Sequence, residues 1–201
     1  MMAAEQNVSG TLDRRDVVGR ILERRGDALV VTGLGSSCYD AGVHDHPNTF
    51  YLWGAMGAAA MMGLGLALAQ PARRVVVITG DGEMLMGLGS LATIGAQKPE
   101  NLAIVVIDNE LYAETGMQAT HTARGVDLAV MAKGAGFTLA ETVRSEHDLE
   151  RAIAALYETR GTVFLDVKVT SQRYPMSIRL RDGAHIKNRF RENLLGQAAF
   201  D

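Results

Sequence analysis

The chain is expected to be an α/β protein: a doubly wound, mostly parallel sheet with helices on both faces. Three observations lead there. Short apolar runs rich in β-branched residues alternate along the chain with longer segments of helical period. The run 102–107 is apolar throughout, as suits a strand buried on both faces of a parallel sheet. Glycine outnumbers proline 22 to 4, which favours tight strand–helix turns and close helix packing. A chain of 201 residues suits one compact domain, and an apolar content of 47% is enough for a core. Aromatics are only 5%, so Ala, Val, Leu, Ile and Met must fill it.

The elements follow in order. Residues 1–10 read as a loose leader. Residues 12–25 carry a helical stripe at Val17, Val18, Ile21 and Leu22, stopped by Gly26-Asp27. Residues 28–32 form a short buried strand, and Gly33 to Ser37 a strand-to-helix turn. A second strand is expected at 50–53 and a helix of small residues at 56–69, ended near Pro71. Strand 74–79 runs into Gly80-Asp81-Gly82, and helix 84–97 ends at Lys98-Pro99. After strand 102–107, residues 108–124 lack a period and read as a functional loop. Helix 127–133, strand 137–142, helix 145–160 and strand 163–169 complete the alternation. Ser145 followed by Asp148 resembles a capping box. Residues 11–170 make the domain. Residues 171–201 form an extension made basic by Arg173, Arg179, Arg181, Lys187, Arg189 and Arg191. It reads as a solvated surface segment, or as one that docks on another subunit or an anionic ligand.

Composition removes several function classes. A formal net charge of −3 gives no case for nucleic acid or an anionic membrane. Cys38 is the only cysteine, so no intrachain disulfide or CxxC metal site exists, and it reads as a small buried residue. Residues 1–10 lack the apolar stretch of a signal peptide. The apolar run 54–69 is rich in Gly and Ala and reads as a buried helix rather than a membrane span. A cytoplasmic protein is the expectation. Gly33-Leu-Gly35-Ser-Ser-Cys38 does not meet the dinucleotide fingerprint.

The decisive pattern is Gly80-Asp81-Gly82 at one strand end and Asn109 at another. Two strand ends of one sheet can present a carboxylate and an amide to the same volume, where open α/β sheets bind ligands. Helix N-termini offer free N–H groups to phosphate. An Asp there can hold Mg²⁺, which takes hard oxygen ligands and shares its shell with phosphate and water.

Gly80-Asp81-Gly82, 26 residues and then Asn109 resembles the thiamine diphosphate motif of the decarboxylase superfamily. That motif usually ends in two Asn residues; Asp108 departs from it, while Asn109 keeps the metal-ligand position. The resemblance covers roughly residues 12–170. It implies a thiamine diphosphate-binding fold, with Mg²⁺ held by Asp81, Asn109 and the main-chain oxygen of Leu111. It also implies cofactor contacts from Ser37, Gly80, Gly82, Glu83 and Tyr112. The segment 48–57 is similar to the one that touches the aminopyrimidine, bringing in Gly54, Ala55 and Met56. Met56 falls where the family places the bulky residue that bends the cofactor; alone it would read as core filler. Leu91-Ala-Thr-Ile-Gly-Ala-Gln-Lys-Pro-Glu-Asn101 is similar to the phosphonopyruvate and sulfopyruvate decarboxylase branch.

The reaction implied is loss of CO2 from a 2-oxo acid to give an aldehyde. Superfamily members use a Glu from a separate pyrimidine-binding domain to activate the cofactor. Glu83, Glu110 and Glu114 are near the motif, but none holds that position. The Glu is therefore expected from a partner α subunit, this chain being the β type in a hetero-oligomer. His44, His46 and His121 are the proton-transfer candidates because imidazole titrates near neutrality, and His121, on the unpatterned loop, is preferred. Arg124 reads as a substrate-anion contact or a solvent-facing residue; Ser36 and Ser37 as ligand contacts or turn formers. Carboligation, oxidation and a non-catalytic cofactor scaffold are the alternative functions.

Overall fold

The computed structural model describes residues 11–177 and 181–200. The expected leader and Arg179 lie outside them. The first half runs α1 (Arg14–Glu23), β1 (Leu29–Thr32), α2 (Ser36–Val43), β2 (Thr49–Tyr51), α3 (Ala59–Ala69), β3 (Val75–Gly80), α4 (Asp81–Met86) and α5 (Ser90–Gln97). The second runs β4 (Leu102–Asp108), β5 (Leu111–Tyr112), β6 (Gln118–Ala119), α6 (Leu128–Gly134), β7 (Leu139–Val143), α7 (Glu146–Glu158), β8 (Val163–Lys168) and α8 (Gly183–Leu195). Among the described residues, six strands form one sheet in the order β2-β1-β3-β4-β8-β7, with every neighbouring pair parallel. β5 and β6 make a separate antiparallel hairpin.

Side-chain alternation divides the core between the two faces of the sheet. Val30, Val76, Val105 and Leu165 pack toward α1, α2 and α7. Val31, Val77, Ile104 and Phe164 pack toward α3, α5 and α6. Every residue of β4 is buried, as its unbroken apolar run requires. Asp13 caps α1, its carboxylate accepting from the N–H groups of Arg15 and Asp16. Ser145 caps α7, but Asp148 returns to the Ser145 hydroxyl rather than to its N–H, so only half of the expected box forms. No helix among the described residues is long and apolar enough to cross a membrane.

Two expectations are corrected. The single helix 84–97 is two helices, broken at Gly87-Leu88-Gly89. Gly87 lies so close to the Gly57 carbonyl that a Cβ on it would sit 2.6 Å from that oxygen, so backbone contact ends α4 there. Similarly, the helix expected from residue 56 begins only at Ala59, because Gly57 takes φ +80° in the preceding turn. The C-terminal extension contains α8, which packs against β2 through an edge-on Phe50–Phe190 pair with centroids 5.5 Å apart. Arg189, one of its basic residues, pairs with Asp45 at 2.8 Å. This part of the extension is a docked helix, since its apolar stripe finds a partner on the sheet.

The small residues of α3 predict opposite outcomes for neighbouring glycines. A Cβ at Gly63 would lie 2.2 Å from Val77 Cγ2, whereas Gly65 meets nothing within 4 Å. Gly63→Ala should destabilise by about 1–3 kcal/mol through overpacking. Gly65→Ala should stabilise by about 0.5–1 kcal/mol. Urea midpoints of the two variants should therefore move in opposite directions from the parent.

Candidate active site

The chain leaves β1 for β2 on one side and returns to β3 on the other. Connections therefore diverge above the carboxyl ends of β1 and β3, the place where open sheets form a ligand crevice. A cleft of about 630 Å³, counting solvent at its mouth, opens there. Its lining comes from the loop after β1 (Leu34, Ser36, Ser37), the start of α4 (Gly80 to Glu83) and the segment after β4 (Asn109, then Leu111 to Thr115). Arg14 and Met56 complete it from either side.

Nine of the residues anticipated from sequence thus face one space: Ser37, Met56, Gly80, Asp81, Gly82, Glu83, Asn109, Leu111 and Tyr112. Gly54 and Ala55 lie in the turn leading to Met56, outside the lining. Met56 is 36% exposed and so is not core filler. The Glu83 carboxylate accepts from the Leu34 N–H at 2.8 Å and so fastens the loop after β1 to α4. Burial pushes the Glu83 carboxyl up, while the Leu34 N–H, the Thr79 hydroxyl and the N–H groups of Ala59 and Gly57 pull it down.

Beneath the cleft runs a buried polar chain that the sequence did not signal. Thr120 Oγ1 donates to Asp81 Oδ2 at 2.6 Å, and Thr122 Oγ1 donates to Asp108 Oδ1 at 2.9 Å. The two hydroxyls are 2.9 Å apart. Lys168 Nζ lies 2.5 Å from Asp108 Oδ2 and 3.2 Å from Glu110 Oε1. Asp108 is therefore the counter-ion of Lys168, which accounts for a carboxylate where the family motif has an amide. Asp108 also accepts from the Glu110 N–H at 2.9 Å, and Asn109 Oδ1 from the Leu111 N–H at 3.1 Å. These two Asx turns fold the backbone back over the cleft and hold Glu110 at φ +62°.

The residues fit a metal-bridged diphosphate. Asp81 is 2% exposed, yet no Arg, Lys or His among the described residues pairs with it. Burial first, and then the Asp108 charge, push its carboxyl up to about 7. A cation beside it would supply the missing counter-charge. No group of three or more His, Cys, Asp or Glu side chains is placed to hold a metal among the described residues. One carboxylate, one amide and one carbonyl instead match Mg²⁺ that keeps phosphate and water in its shell. Gly80 lines the cleft, and a Cβ on it would meet no protein atom within 4 Å. A Cβ on Gly82 would lie 2.6 Å from the Tyr112 ring, which lets that ring close the floor.

The histidines stand elsewhere. His121 is exposed and outside the cleft lining, while its neighbours Thr120 and Thr122 carry the buried chain. The His44 ring packs against Gly19, and His46 Nδ1 accepts from the Asn48 N–H at 3.0 Å. Arg124 is exposed, and the cation in the cleft is Arg14. Cys38 is buried, its thiol pushed up to about 12 chiefly by burial, which leaves it inert. Nothing in the helical stripe marked Arg14. A threonine pair separated by one residue in a loop is likewise silent.

Comparison with known proteins gives consistent matches. Residues 35–167 match the family described as "Thiamine pyrophosphate enzyme, C-terminal TPP binding domain". Over 188 residues the chain is 40% identical to the sulfopyruvate decarboxylase subunit beta of Methanothermobacter thermautotrophicus, covering 92% of this chain and 97% of that one. The subunit of the same name from Methanocaldococcus jannaschii is 39% identical over 76% of this chain and 81% of its own. Phosphonopyruvate decarboxylase of Streptomyces viridochromogenes is 42% identical over 71% of this chain, but over only 36% of its own length. A solved structure of a thiamin diphosphate-dependent enzyme from Mycobacterium smegmatis superposes with a TM-score of 0.68 at 26% identity, covering 80% of this chain and 32% of that one.

The buried carboxylates predict a pH dependence. Burial, followed by the Asp108 charge, raises the Asp166 carboxyl to about 8. In the unfolded chain it ionises near 3.9. The folded state therefore holds a proton that the unfolded state has released, and this group's contribution is lost as pH rises from about 4 through about 8. Asp166→Asn should remove that slope. Urea unfolding at pH 5 and pH 8 should show the variant gaining on the parent at the higher pH.

Proposed function

The chain belongs to the thiamine pyrophosphate enzyme family, and from that membership we propose that it is the β-type subunit of a Mg²⁺-dependent 2-oxo acid decarboxylase. Sulfopyruvate is the favoured substrate, with phosphonopyruvate as the related alternative; CO2 and an aldehyde are the products. The observation that carries this reading is the convergence of Asp81, Asn109 and Leu111 on one cleft at the divergence of β1 and β3. Its support from relatives is the match to a named beta subunit along 97% of that subunit.

The residues divide the work. Asp81, Asn109 and the Leu111 carbonyl would hold Mg²⁺, and the turn at Gly80 to Gly82 would receive the diphosphate. Met56 would press on the cofactor from the opposite wall. When bound, the cofactor supplies the carbon that attacks the substrate ketone and the electron sink for loss of CO2. Glu83 keeps the loop after β1 fastened, so that Ser36 and Ser37 face the same space.

The activating carboxylate would come from a pyrimidine-binding α subunit. Trp53, Met56 and Met86 are each at least 36% exposed. A Cβ on Gly57 would meet Met86 Cγ at 3.2 Å, so the Met56 turn and the end of α4 form one apolar rim beside the cleft. Such a rim suits a partner that closes the site and expels water.

Calorimetric titration tests the cofactor assignment. Thiamine diphosphate should bind in the presence of Mg²⁺, and Asp81→Ala should abolish the metal-dependent part. A loss smaller than about tenfold would remove Asp81 from the metal site. Decarboxylation of sulfopyruvate should be negligible for the purified chain and appear when its partner is added; full turnover without a partner contradicts the split-site reading.

A further inference from the structure

We propose that Arg14 forms an anion subsite through which the cleft selects a substrate bearing a second, tetrahedral oxyanion, sulfonate or phosphonate, at the end of a 2-oxo acid. The inference rests on the decarboxylase reading and adds to it the residue that reads the substrate's far end.

The charges of the cleft define the problem. Its acidic lining residues are Asp81, Glu83 and Glu114, and Arg14 is the one Lys or Arg among the lining residues. A plain 2-oxo acid carries one anion. Sulfopyruvate or phosphonopyruvate carries another, which must leave water beside Glu83 and Glu114, while Mg²⁺ would be engaged by Asp81 and the diphosphate. Without a cation of its own, that far anion is costly to bury.

Arg14 is built for the task. It is 5% exposed and held on several sides. Nη1 donates to the Asp40 carboxylate and, at 3.4 Å, to the Ser36 carbonyl; Nε donates to the Gln172 carbonyl at 3.1 Å. The guanidinium also lies 5.1 Å from the Tyr174 ring centroid. Nη2 pairs with no acceptor among the described residues. The planar fork is therefore fixed in place with one end left for a ligand. Asp40 serves two guanidiniums: Arg14 at Oδ2 and Arg15, at 2.9 Å, at Oδ1. Asp13, the other carboxylate whose charge acts on Arg14, accepts from the Tyr174 hydroxyl and from the N–H groups of Arg15 and Asp16, so neither carboxylate is given to Arg14 alone. Ser36 also lines the cleft and can add a hydroxyl donor.

The test is calorimetry on the assembled enzyme, loaded with thiamine diphosphate and Mg²⁺. The probes are sulfoacetate and phosphonoacetate, which cannot decarboxylate, and acetate, which lacks the far anion. The parent should prefer at least one of the two dianions over acetate by roughly 10- to 100-fold, as expected for a charge-assisted pair. The tighter of the two identifies the source of the oxyanion. Arg14→Met should erase the preference and leave thiamine diphosphate affinity within about twofold. Arg14→Lys, which keeps the charge but not the fork, should retain only part of it. Arg15→Met leaves Asp40 to Arg14 alone and should weaken the preference without erasing it. Thermal melts check folding; if Arg14→Met does not fold, Arg14→Lys decides, and an undiminished preference there overturns the proposal. It is also overturned if the parent shows no preference, or if cofactor affinity falls in parallel, which would assign Arg14 to the diphosphate. Absence of sulfopyruvate turnover with the dianion preference intact would refute the decarboxylase reading and not the subsite.

Discussion

A single buried ammonium group orders the floor of the cleft. Lys168 ends β8 beside Asp108 at the end of β4, with only 3% of its surface exposed. It sits 2.5 Å from Asp108, 3.2 Å from Glu110 and 3.9 Å from Asp166. Charges so buried are tolerable only when paired and hydrogen-bonded. Asp108 meets that need by also accepting from Thr122, and the two threonines carry the connection to Asp81, just past the end of β3. The tips of β3, β4 and β8 are thereby fixed to one another. Asp108 balances Lys168 within the floor, while Asp81 has no cation of its own among the described residues, which is the setting in which a divalent cation binds well.

The walls follow different rules from the floor. On one side, Arg14, Arg15, Asp13, Asp40 and Tyr174 make a rigid corner of paired charges, stitched to the segment after β8 through the Gln172 carbonyl. On the other, Met56 lines the cleft and Met86 lies close to Gly57 beside it, both of them exposed. Methionine adapts its shape easily, which makes this wall compliant. The cleft thus joins a fixed polar base, a fixed cation and a compliant apolar lip.

Much of this was legible in the chain. The strands at β1, β3, β4 and β8 were apparent because β-branched runs between turn residues leave little choice of structure. Asp81 and Asn109 could be brought together from their positions at strand ends alone. The break between α4 and α5 was hidden, since Gly87 and Gly89 fit a helix poorly but only the approach of Gly57 forbids one. The α8 stripe was obscured by its basic residues, whose pairing with Asp45 depends on tertiary placement. Arg14 could not be found, because an arginine at a helix start looks like any solvated one until Asp40 and Gln172 are folded around it. His121 illustrates the converse: it sits in the right loop, but the backbone turns its neighbours inward and leaves it in solvent.

The close approach of Gly57 and Gly87 ties two segments thirty positions apart into one mechanical unit. Whatever displaces the turn bearing Met56 must also displace the end of the helix that starts with Asp81. Loop exchange between relatives would therefore succeed only when both glycines travel together, because a side chain at Gly87 would strike the Gly57 carbonyl and push the turn bearing Met56 away from α4. The spacing between the Met56 turn and the start of α4 is set by main-chain contact, and drift in side chains around it leaves that spacing unaltered.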